Sequence, residues 1–96
     1  MIRVEGERLY VTGPATLANA AQLIEEAKAH VASVSAVDLG EVTELDSSLL
    51  AVLIAWMREA RAQERTLSFS RLPQDLRTLA QLYGVAQLLP QDTARS

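Results

Sequence analysis

The stretch Val37-Asp38-Leu39-Gly40-Glu41-Val42-Thr43-Glu44-Leu45-Asp46-Ser47-Ser48-Leu49-Leu50 constrains this chain more than any other. A short apolar strand, Ala36 to Leu39, runs into a polar loop, and the loop meets a long apolar helical pattern at Asp46-Ser47-Ser48. A strand that feeds a helix in this way lays that helix back on its own sheet, because each has an apolar side to bury. Asp46 or Ser47 is placed to cap the helix, whose first N–H groups lack intrahelical partners and lie at the positive end of its dipole. A serine pair at such a corner satisfies a backbone donor, presents a hydroxyl to a partner, or does both. By itself the corner is not an active site.

The remaining pattern places this unit in a larger frame. Ile2 to Glu5 and Arg8 to Thr12 read as a hairpin around Gly6-Glu7, with Gly13-Pro14 stopping the second strand. Thr16 is the expected N-cap of a first helix from Leu17 to about Ser33, with an apolar stripe of Leu17, Ala20, Ile24, Ala27 and Val31. Ser47 to about Gln63 is the second helix. Thr66 to Ser70 is the last strand, with Leu67 and Phe69 on one face. Pro73 suits the first turn of a third helix that Gly84 ends, with Val85 as the apolar contact beyond the stop. The order β-β-α-β-α-β-α gives an α/β domain over residues 1–90: an opening antiparallel hairpin, later strands parallel, and a mixed four-stranded sheet covered by about three helices. Residues 91–96 form a polar tail.

Composition removes most chemistry. There is no cysteine and only one histidine, His30, so disulfides, thiol catalysis and His-rich metal sites are excluded. His30 flanks the first helix's apolar stripe and reads as a surface or half-buried residue. Four glycines in 96 residues leave no phosphate-cradling loop, so no cofactor is expected. Glu25 and Glu26 lie on a wet helix face, and Glu41, Glu44 and Asp46 in the polar loop, where nothing raises a carboxyl pKa. The net charge of −3 with scattered basic residues gives no nucleic-acid footprint. No apolar run spans a membrane and no signal-peptide pattern opens the chain, so a cytoplasmic domain is expected.

On a helical wheel, Leu50, Leu53, Ile54 and Met57 cluster as the core face of the second helix, flanked by Leu49 and Ala60. Ser48, Val52 and Trp56 then fall on or near the outer side as a partly exposed ridge leading away from the hydroxyl corner. The expected partner interface is therefore Asp46, Ser47, Ser48, Leu49, Val52 and Trp56.

The signature from Val37 to Leu50 resembles the STAS domain, which sulfate transporters and anti-sigma factor antagonists share. The usual form is a hydrophobic-Asp-Leu strand followed by a loop ending in Asp-Ser-[Ser/Thr]-Gly-Leu. The early hairpin ending in Gly13 and the closing Leu82-Tyr83-Gly84-Val85 agree with it. Within the family, the segment Leu79-Ala80-Gln81-Leu82-Tyr83-Gly84-Val85 followed by Leu88-Leu89-Pro90 is similar to the small STAS subunits of phospholipid-transport ABC complexes.

The resemblance implies a non-catalytic protein that binds the ATPase subunit of such a complex and helps maintain outer-membrane lipid asymmetry. Nucleotide would sit in the partner, and the chain would lie peripherally on the inner face of the inner membrane through its complex. The hydroxyl at the family's contact surface maps to Ser47. The alternative is an anti-sigma factor antagonist switched by phosphorylation of Ser48 or Ser47, and a third is a stand-alone module binding nucleotide or lipid. Leu49 replaces the family's glycine and is expected to crowd Ser48, which weakens the switch more than constitutive docking.

Overall fold

The computed structural model describes residues 1–88, so the expected tail from Gln91 lies outside them. Strands β1 (Ile2–Glu5) and β2 (Arg8–Ala15) form the expected hairpin, with Ile2 opposite Val11 and Gly6 at φ 63° in the turn. Strand β3 (Ala36–Leu45) pairs parallel with β2, and β4 (Ser68–Ser70) pairs parallel with β3. The sheet order is β1-β2-β3-β4. Helices α1 (Ala20–Lys28), α2 (Ser48–Ala62) and α3 (Gln74–Leu82) complete the α/β order read from the sequence.

Side chains alternate across this sheet. Val4, Leu9, Val37 and Phe69 stand in register across the strands, and the last three are at most 1 % exposed. Leu23 and Ala27 of α1, Leu53 and Trp56 of α2, and Leu76 and Ala80 of α3 close the same core. The neighbouring row, Arg3, Tyr10, Asp38 and Ser70, belongs to the other face. There Asp38 is 5 % exposed and accepts both hydrogen bonds of the Arg71 Nε–H, at 2.9 and 3.0 Å. The Gly40 N–H donates to the same carboxylate at 2.8 Å, and Arg8 lies 3.7 Å from it. A Cβ on Gly40 would collide with the Arg71 guanidinium, so glycine is what lets Arg71 lie across β3.

Several boundaries differ from the sequence reading. Gly13-Pro14 does not stop β2, because β1 pairing ends at Val11 and Pro14 has an open edge on that side, where its missing N–H costs nothing. With β2 prolonged, β3 has a partner out to Leu45, so the expected polar loop from Gly40 is strand with two register shifts. The last strand is shorter than Thr66 to Ser70, yet Leu67 and Phe69 are both buried as expected. The first helix is also shorter: Leu17–Asn19 is a 3₁₀ turn, and Leu17 is 76 % exposed rather than on the apolar stripe. Thr16 caps that turn, its N–H donating to the Asn19 Oδ1 at 2.8 Å.

Helix α3 ends as read. Gly84 adopts φ 70°, its N–H reaches the Gln81 carbonyl, and the Val85 N–H reaches the Ala80 carbonyl.

Candidate functional site

Asp46 turns the chain from β3 into α2, and it is Asp46, not Ser47, that supplies the cap. Its Oδ1 accepts the Ser48 N–H at 2.9 Å, and its Oδ2 accepts the Leu17 N–H at 3.1 Å. One carboxylate thus ties the start of α2 to the turn preceding α1. Those two N–H groups, Leu17 first, hold the Asp46 carboxyl below its ordinary pKa, with the Ser48 hydroxyl adding to them.

A lowered folded-state pKa contributes stability that is complete above the unfolded value and is lost as the pH falls through the folded one. The stability difference between the wild type and Asp46→Ala is therefore expected to stay constant down to about pH 5 and to shrink below about pH 4. Thermal melts across that range check it; a difference unchanged at about pH 3 removes the Asp46 charge from the account.

Because Asp46 does the capping, the Ser47 side chain makes no cap hydrogen bond and is exposed. Ser48 is half-buried against Asp46. Of the two serines, Ser47 is the more exposed.

The ridge expected beyond them is corrected by burial. Val52 and Trp56 are 1 % exposed and Leu49 is fully buried, so these three belong to the core and not to a surface. The inward face of α2 is Leu49, Leu53, Trp56 and Ala60, roughly a quarter turn from the face expected. Leu50 and Leu53 are buried as read, whereas Ile54 and Met57 are half-buried and line a shallow surface hollow with Arg58 and Arg61. Leu49 points inward, so it does not crowd the solvent side of Ser48.

What borders the corner instead comes from other elements. An open groove of about 380 Å³ runs beside it, with Leu45, Asp46 and Ser47 on one wall and Asp75, Leu79 and Tyr83 of α3 and its cap on the other. Among the described residues the exposed large apolar side chains are Met1, Leu17, Leu82 and Tyr83. Tyr83 lines the groove, Leu82 adjoins it in the chain, and Leu17 is bonded through its N–H to Asp46. Of these four, Tyr83 therefore shares the groove with Ser47. The sequence carried one signal for this wall: Asp75, Leu79 and Leu82 share a side of α3 about a third of a turn from the buried Leu76 and Ala80.

His30 is half-buried, as read. Among the described residues no group of His, Asp and Glu is arranged to hold a metal ion.

A family model described as "Mlab, STAS domain" matches residues 2–90. No curated protein sequence matches the chain. Among solved structures, the chain is similar to the anti-sigma factor antagonist SpoIIAA in its unphosphorylated form. That match has a TM-score of 0.71 at 15% identity and covers 96% of this chain and 86% of that one. A candidate anti-sigma factor antagonist of Thermotoga maritima superposes with TM-score 0.74 at 10% identity, covering 95% of this chain and 83% of the other. SpoIIAA of Bacillus in its phosphorylated form gives 0.65 at 15% identity, over 96% and 89%. At these identities the likeness is one of fold.

Proposed function

The chain belongs to the STAS family, in its MlaB-type branch, and on that premise we propose that it is a non-catalytic subunit that docks on the ATPase subunit of a phospholipid-transport ABC complex. STAS domains serve as regulatory and binding modules, and this one offers a docking corner. The observation that carries the reading is the exposed Ser47 in one open groove with Leu45, Leu79 and the exposed Tyr83, the mix of apolar and polar groups that protein interfaces use. Asp46 holds that corner in one geometry, so little ordering is required on binding.

No helix of the described residues is long and apolar enough to cross a membrane. Its place at the inner face of the inner membrane, in support of outer-membrane lipid asymmetry, would follow from the permease beneath the ATPase. The test is to co-express the full chain with the ATPase and permease subunits of that complex and to purify through a tag on this chain. A stoichiometric complex with unmodified Ser47 and Ser48 supports docking without a switch. A chain that leaves those subunits behind and carries phosphate on either serine overturns it in favour of an anti-sigma factor antagonist.

A further inference from the structure

We propose that the groove between the Ser47 corner and α3 receives a partner segment that presents a basic side chain beside an apolar one. This inference rests on the docking reading and adds the chemistry of the partner.

The groove carries two carboxylates, Asp46 and Asp75, and no cation among the described residues that line it. Asp46 is fixed by one backbone N–H on each oxygen, so its remaining lone pairs face a set direction without loss of side-chain entropy on binding. Asp75 is exposed in the first turn of α3. A guanidinium or ammonium entering here meets carboxylate acceptors, that of Asp46 already fixed by its two backbone N–H donors. Leu45, Leu79 and Tyr83, the last 61 % exposed, supply the apolar part of the same lining. A second copy of this chain is a poorer occupant, since the apposed Asp46 and Asp75 would repel their counterparts across a two-fold axis.

The experiment is titration calorimetry of the full chain against the purified ATPase subunit at low and high salt. The wild-type affinity is expected to fall as salt rises. Asp75→Lys is expected to weaken binding at least about tenfold at low salt and by less at high salt, with Asp75→Asn between it and the wild type. Thr78, exposed in the same groove, gives a second variant: Thr78→Arg fills the place with the chain's own cation and is expected to weaken binding similarly. Melting curves establish that the variants are folded.

If Asp75→Lys and Thr78→Arg bind like the wild type while Ser47→Arg does not, the basic-segment proposal fails and the docking reading stands. If Ser47→Arg also binds like the wild type, both fail. Should sedimentation show the isolated wild type to be a dimer and Asp75→Lys a monomer, the occupant is a second copy and the proposal is overturned.

Discussion

Replacing Trp56 by alanine is expected to cost about 3–5 kcal/mol, the range for emptying a large aromatic site in a core. A domain of this size has a total stability near the low end of about 5–15 kcal/mol, so the variant should retain only about 0–2 kcal/mol and be partly unfolded. The reason is position: Trp56 is 1 % exposed, on the α2 face that also carries Leu53 and Ala60 and belongs to the same core as the sheet's buried residues. Trp56→Phe is expected to be far milder. It keeps much of the ring, and it removes an indole Nε1–H that finds no acceptor among the described residues. Urea melts of the two variants decide the matter. A wild-type midpoint for Trp56→Ala would mean that the tryptophan is on the surface after all, where its loss would instead appear in partner binding.

The converse pattern is expected for Ser47→Arg. Ser47 is exposed and contributes no cap bond, so the variant should remain folded, within about 1 kcal/mol of the wild type once the unfavourable charge at a helix N-terminus is counted. Affinity for the ATPase subunit should fall at least about 100-fold, about 2.8 kcal/mol, which is hot-spot magnitude. Two effects combine there. The long side chain occupies the corner, and its guanidinium can turn to Asp46 or Asp75 and hold the groove from within. Calorimetry beside a melting curve separates these: a folded variant with unchanged affinity would remove Ser47 from the interface.

How much was legible in the sequence depended on whether the signal was local. The strand-to-helix corner was readable because Asp46, Ser47 and Ser48 announce a helix start whatever lies around them. Gly84 with Val85 announced a helix stop equally well. The phase of α2 was not readable: every residue from Leu49 to Met57 is apolar, so more than one face of the wheel gathers leucines. Packing then chose the face that buries the indole, and Val52 and Trp56 moved from the expected interface to the core. The length of β3 was hidden for a different reason. Glu41 and Glu44 look like loop residues until they are seen to pair with Thr12 and, because β2 does not stop at Gly13, with Pro14. The groove was least accessible, since Asp75, Leu79 and Tyr83 meet Ser47 only through the docking of α3.

That docking has a seam worth following. Strand β4 offers only three ladder positions, and the described residues after it, α3 included, are held by this short edge and by the core contacts of Leu72, Leu76 and Ala80, with Leu79, Val85 and Ala86 packed beside them. Arg71, at φ 53°, comes immediately after β4, and its grip on Asp38 acts as a stitch on the sheet's outer face. One wall of the groove is therefore anchored from the far side of the molecule. Gly40, whose bare α-carbon leaves room for the Arg71 guanidinium beside Asp38, thereby contributes to the placing of a surface on which it has no atom of its own.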